Sequence, residues 1–171
     1  MANDSGPFGF RYVGNLDGGS AAIREYAHAV SDAVALGRGD QVGVTGALDT
    51  VAQTAADGPH TGISLAYGAA STAFNVPTIM LQDGTLFEAQ EDGNAGTAAE
   101  GSIANSVTAL APNATTGLSK EQLSSTTAGT TATQCWRMYA VSPRVGNDGT
   151  LSYAKWLVLC NNIMSNQIRG Y

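Results

Sequence analysis

Between Gly37 and Tyr67 apolar and polar residues alternate in short runs broken by turn residues. Gln41-Val42-Gly43-Val44-Thr45 has a two-residue period, as does Gly62-Ile63-Ser64-Leu65-Ala66-Tyr67. Such a period puts every second side chain on one face of a strand. Arg38-Gly39-Asp40, Gly46-Ala47 and Ala56-Asp57-Gly58-Pro59 punctuate the runs, and Gly and Asp supply the backbone freedom tight turns require. Leu48 to Ala52 is read as a further strand. The pattern predicts the wall of a small barrel or sandwich.

The same reading extends along the chain. Thr78 to Leu81 and Leu86 to Gln90 flank Gln82-Asp83-Gly84-Thr85, which predicts a hairpin. A short strand is expected over 103–110. Cys135 to Val141 and Tyr153 to Cys160 are the dense apolar runs of the C-terminal part. Asn161 to Ile168 ends the domain, read as a short helical turn. Asp-Gly pairs at 17–18, 57–58, 83–84, 92–93 and 148–149 mark turns along the whole chain. Many short strands with Gly-rich turns predict an all-β fold, a barrel or sandwich with long Gly/Thr/Ala-rich loops.

Two stretches need separate treatment. Ile23, Tyr26, Val30 and Val34 could line a helix, but Arg24, Tyr26, His28 and Val30 share strand parity, and β neighbours favour strand for 20–36. Residues 113–133 are low in complexity except for Ser119-Lys120-Glu121-Gln122-Leu123, and predict a long loop on the surface or on a partner.

Residues 1–19 are read as an extended N-terminal arm and 20–171 as a single β domain. Glycines at 6, 9, 14, 18 and 19 oppose helix. Phe8, Phe10 and Tyr12 alternate, so the arm carries an aromatic row with Arg11 opposite. Two placements follow: the row anchors a partner or a neighbouring copy, or it packs on its own domain as an edge strand. Phe8, Phe10, Arg11 and Tyr12 are the candidate partner-binding residues.

Composition changes the picture in one respect. Hydrophobic residues are 43% of the 171, but charged residues are 13%, about half the usual share. A surface so poor in charge suits a protein packed against copies of itself or a partner. Fourteen acidic against eight basic residues give a net charge of −6, with no Lys/Arg cluster. Nucleic acid is therefore not expected as a partner, and neither is an anionic membrane. No apolar run approaches the ~20 residues of a spanning helix. Met1 to Pro7 reads as no secretory signal, so a chain made and used without export is expected.

Candidate chemistry is sparse. The histidines are His28 and His60, and no Gly-x-Ser-x-Gly elbow accompanies them. Glu88, Glu91 and Asp92 flank a turn and read as solubilising. Cys135 and Cys160 sit in strand-like runs without metal-ligand spacing; buried thiols are the default and a cross-strand bridge the alternative. Arg38-Gly39-Asp40 is explained as a turn, and Asn113-Ala114-Thr115 as an unused glycosylation acceptor. Trp136 and Trp156 fall within strands, which favours the core. No catalytic residues, metal or cofactor are expected, and the protein is read as non-enzymatic.

Gly9-Phe10-Arg11-Tyr12-Val13, Gly18-Gly19, Glu25-Tyr26 and Gly39-Asp40-Gln41-Val42 occur in that order. Leu86 to Gly93 follows, then Tyr153-Ala154-Lys155-Trp156-Leu157-Val158 and the stretch Asn161 to Arg169. This series resembles the small capsid decoration (cement) proteins of tailed bacteriophages, of the cyanophage and marine-phage type. The chain departs from them at Tyr12 and Gln41, where they often carry proline. The resemblance implies a structural protein on the outer surface of the virion. It would bind the major capsid protein lattice, often as a homotrimer, and clamp neighbouring capsid subunits. The alternative is another viral or cell-surface β binding module, a fibre or carbohydrate-binding domain.

Overall fold

The computed structural model describes residues 2–45, 49–55, 58, 60–107, 110–129 and 134–161. Within them the chain is all-β. Twelve strands follow one another: β1 (Arg11–Asn15), β2 (Ile23–His28), β3 (Gln41–Val44), β4 (Val51–Gln53), β5 (Gly62–Ser64), β6 (Phe74–Met80), β7 (Thr85–Gln90), β8 (Ile103–Ala104), β9 (Ser106–Val107), β10 (Gln122–Leu123), β11 (Trp136–Val141) and β12 (Lys155–Cys160). A single 3-10 turn, Thr97–Ala99, precedes β8.

The strands form two five-stranded antiparallel sheets and one two-stranded ribbon. One sheet has the order β1-β7-β12-β11-β8, the other β2-β6-β5-β3-β4, and β9 pairs with β10. No sheet closes into a barrel, so the sandwich alternative holds. The second sheet nevertheless curls until its edges meet at a parallel bridge between Ala27 and Thr50, where the Ala27 N–H donates to Asp49 O at 2.7 Å.

Alternation along the strands gives the protein two cores. Tyr26, Leu36, Val42, Val51 and Val76 fill the curl of the second sheet. Phe10, Ile63, Ile79, Leu81, Phe87, Met138 and both tryptophans belong to the larger cluster. β6 supplies both, because Val76 and Ile79 lie three residues apart and so face opposite ways. Burying a side chain of this size contributes about 1.5–3 kcal/mol, which accounts for the fixed strand register.

Several expectations are corrected. Gln82 to Thr85 does turn, with Thr85 N–H donating to Gln82 O at 3.0 Å and Gly84 at φ +84°. It is not a hairpin, since β6 and β7 belong to different sheets; the turn hands the chain from one to the other. The strand expected over 103–110 is split, with β8 pairing to β11 and β9 to β10. In the ambiguous stretch 20–36, strand parity prevails over 23–28, where Tyr26 and His28 are buried and Arg24 is exposed. The turn at Gly46-Ala47, Asp57 and Pro59 of the next turn, and the helical turn after Asn161 lie outside the described residues.

The arm, too, is placed differently. It is extended, but it is part of the domain: β1 pairs with β7 as an edge strand, Arg11 opposite Glu88 and Tyr12 opposite Phe87. Upstream, Asn3 Nδ2 donates to Asp148 O at 2.8 Å, and Gln90 Nε2 donates to Asp4 O at 2.6 Å.

Candidate functional site

Each of the four candidate arm residues has a neighbour within the chain. Gly9 and Gly39 both carry positive φ, +72° and +98°. They bring two backbone segments so close that a Cβ on Gly39 would lie 2.8 Å from Phe8 O. The contact lets the Phe10 N–H donate to Gly39 O at 2.9 Å and turns the Phe10 ring inward. Phe10 is 2% exposed and stacks on Trp136 at 4.2 Å between centroids. It is therefore a core residue and not a partner anchor. Tyr12 meets Phe87 edge-on at 6.1 Å.

Arg11 stands over the Phe8 ring at 5.1 Å and pairs with Glu88. Its acidic partner is thus in its own chain. Glu88 is buried; its Oε1 accepts from Arg144 Nε at 2.8 Å and from Ser142 Oγ at 2.5 Å. Far from solubilising a hairpin, Glu88 gathers two arginines from separate segments.

Phe8, Arg11 and Tyr12 border a groove of about 480 Å³, whose other walls include Arg38, Leu65, Ile79 and Leu118. Arg11 and Tyr12 also line an adjoining hollow of about 300 Å³ with Val13, Pro143, Arg144 and Leu157. The first groove lies between the edge strand of one sheet and the ends of strands in the other. Its wall at Arg38 and Leu118 is held by a parallel bridge between those two residues.

Behind the groove lies a set of buried acids. Asp40 and Glu121 are both fully buried. Glu121 Oε2 accepts from the Gln41 N–H and from Gln41 Nε2, both at 2.9 Å. Its Oε1 accepts from Gln53 Nε2 at 2.9 Å. Gln41 Oε1 in turn accepts from Trp136 Nε1 at 2.6 Å, which ties the two sheets together. Asp40 Oδ2 accepts from the Gly37 N–H at 2.6 Å. Burial raises the Asp40 carboxyl to about 6, against hydrogen bonds from Ser119 and Gly37. Burial and the nearby Asp40 charge raise Glu121 well above its ordinary value. The two resist carrying two charges at once and titrate as a pair.

Glu91 makes a second such site. Its Oε2 accepts from Trp156 Nε1 at 3.1 Å and the Ala95 N–H at 3.1 Å, and burial pushes its carboxyl up. These carboxylates satisfy indole and backbone donors. His28 sits between Thr72 O and Asp32, with Nδ1 at 3.0 Å from the carbonyl and Nε2 at 3.3 Å from the carboxylate. His60 Nδ1 lies 2.7 Å from Thr54 Oγ1, and its ring stacks 5.9 Å from Trp136. Neither histidine lines the groove or the hollow. Among the described residues no group of three or more His, Cys, Asp or Glu could hold a metal ion, and no helix is long and apolar enough to cross a membrane.

No protein-family model matches the chain, and no curated protein matches it in sequence.

The sequence reading brought Phe8, Arg11 and Tyr12 to one place, and the structure adds Arg38, Leu65, Leu118 and Arg144 to them. It missed Glu121, taken with its loop as lying on the surface or on a partner. A signal existed: Ser119-Lys120-Glu121-Gln122-Leu123 regains strand parity, with Ser119, Glu121 and Leu123 turned inward and buried.

Proposed function

We propose that the protein is a non-enzymatic capsid decoration protein. It binds the outside of an icosahedral phage head, on the major capsid protein lattice, and clamps neighbouring subunits, associating with its own copies as a trimer. One observation carries the reading: the residues that open the family resemblance also present an apolar, arginine-bordered groove on a charge-poor β body. Many weak contacts of this kind, repeated over a symmetric lattice, add up to stable attachment. A clamp that binds only the assembled lattice stabilises that state by mass action.

The histidine surroundings support the absence of catalysis. Both imidazoles are buried and line neither the groove nor the hollow, His28 engaged by Thr72 O and Asp32 and His60 by Thr54 Oγ1.

Cosedimentation tests the reading. Purified protein should pellet with expanded heads and stay in the supernatant with unexpanded ones; equal behaviour with both, or no pelleting with either, refutes it. The second reading, a fibre or carbohydrate-binding module, rests on Tyr67 and Tyr139, which stand about two-fifths open to solvent. Glycan-array binding lost in Tyr139→Ala would favour it.

A further inference from the structure

We infer that the groove takes an extended segment of a partner protein in which carboxylates flank one large apolar side chain. This rests on the reading of that face as a docking surface and names the chemistry of what docks.

Shape comes first. The groove and the adjoining hollow share Arg11 and Tyr12 along their walls, so the two adjoin along the edge strand β1 as one depression. An extended chain fits such a shape. The larger part, about 480 Å³, falls within the range of pockets that bury most of an apolar group. Its walls are mainly apolar, with Phe8, Leu65 and Leu118 among them.

Charge comes next. The protein carries −6 overall and has only eight basic residues, yet Arg11, Arg38 and Arg144 all line this depression. Its one carboxylate is Glu88, which is buried and already engaged by Arg11, Arg144 and Ser142. Behind the wall, Asp40 and Glu121 are fully buried, and burial raises both carboxyls and opposes their charge, so the open surface of the depression presents three guanidinium groups against one lining carboxylate and attracts carboxylates. All three cations are arginines, whose planar guanidinium groups match carboxylates in pairs of hydrogen bonds. Arg38 is exposed at the wall and forms no ion pair among the described residues, so its charge is available to a partner. Nucleic acid fits less well. Its phosphates would meet the overall negative charge, and the apolar walls would be left without a complement.

The test uses the full chain and two fluorescein-labelled synthetic peptides read by anisotropy. One places Asp and Glu on both sides of a Phe; its twin replaces each acid with Lys. The acidic peptide should bind, and the basic twin should bind at least about tenfold more weakly. Arg38→Glu and Leu118→Asp should each abolish the preference, with circular dichroism confirming the fold. Arg38→Lys should retain part of it, and Arg137→Glu, at an exposed site outside the depression, should change nothing. Because Arg38 is exposed, Arg38→Glu remains informative if Leu118→Asp fails to fold. Equal binding of the two peptides, binding untouched by Arg38→Glu, or preference for a duplex oligonucleotide overturns the proposal. Protein that binds the acidic peptide but does not cosediment with heads sustains the groove and removes the capsid reading. Protein that pellets with heads but shows no peptide preference does the reverse.

Discussion

Phe10 lies nearly parallel to Trp136, their ring centroids 4.2 Å apart and their planes 20° from each other. The contact joins the N-terminal stretch to β11, and both residues are buried. Phe10→Ala is expected to destabilise the protein by about 3–5 kcal/mol, read as a drop in the denaturation midpoint. Deleting residues 1–12 is accordingly expected to unfold much of the domain. A truncated protein with unchanged stability would show that the ring contributes little.

Glu121 is the acceptor on which Gln41 and Gln53 converge. Glu121→Ala leaves two buried donors of Gln41 and the half-buried Gln53 Nε2 without their acceptor and opens a void next to Asp40. A loss of at least about 2–3 kcal/mol is expected, measured by chemical denaturation. If the variant matches the wild type, the hydrogen bonds from β3 and β4 do not stabilise the fold.

Asp40 gives a pH dependence of definite sign. Its carboxyl is raised by burial to about 6 in the folded protein from its ordinary 3.8, so the native state binds the proton more tightly. Its contribution is full below about pH 4 and is lost as pH rises through about 6, on the order of 2–3 kcal/mol. Glu121 and Glu91 shift in the same direction. The melting temperature should therefore fall between pH 5 and pH 7.5. Asp40→Asn keeps an acceptor for the Gly37 N–H and removes the charge that burial opposes. It should melt higher than wild type at pH 7.5 and show a flatter profile; a lower melting temperature there would contradict the assignment.

Gly39 stands where only glycine fits, at φ +98° and against Phe8 O and Phe10 N. Gly39→Ala should cost at least about 1–3 kcal/mol, through strain and through displacement of Phe10 from Trp136. Near-ultraviolet circular dichroism should weaken in step, and an unaltered tryptophan spectrum would show that the close approach is dispensable.

The fold class was legible because alternation survives in strands such as β3 and β5, and because β12 is a dense apolar run of strand length. Pairing was not legible. Gln82-Asp83-Gly84-Thr85 has the local chemistry of a hairpin, but the choice of sheet depends on where Phe87 and Ile79 find partners, and no local signal holds that. The groove was half legible. Phe8, Arg11 and Tyr12 are neighbours in sequence, whereas Arg38, Leu118 and Arg144 reach them only through long-range pairing. Phe10 shares the parity of Phe8 and Tyr12, so alternation alone could not single it out for the core; the turn at Gly9 and Gly39 decides it. Glu121 carried only the parity signal of Ser119, Glu121 and Leu123, which is outweighed because a carboxylate is ordinarily solvated and its partners Gln41 and Gln53 are distant in sequence.

The two large sheets draw on the chain very differently. All five strands β2 to β6 lie between residues 23 and 80, whereas the sheet with β1 at its edge also needs strands as distant as residue 160. A ribosome therefore delivers every strand of the β2–β6 sheet before β7, and domains tend to assemble in that order. β1 emerges well before its partner β7, and Phe10 waits longer still for Trp136. During that interval the N-terminal aromatics are exposed on the nascent chain. That is the stage at which a chaperone would meet them, or at which one unfinished chain would find another.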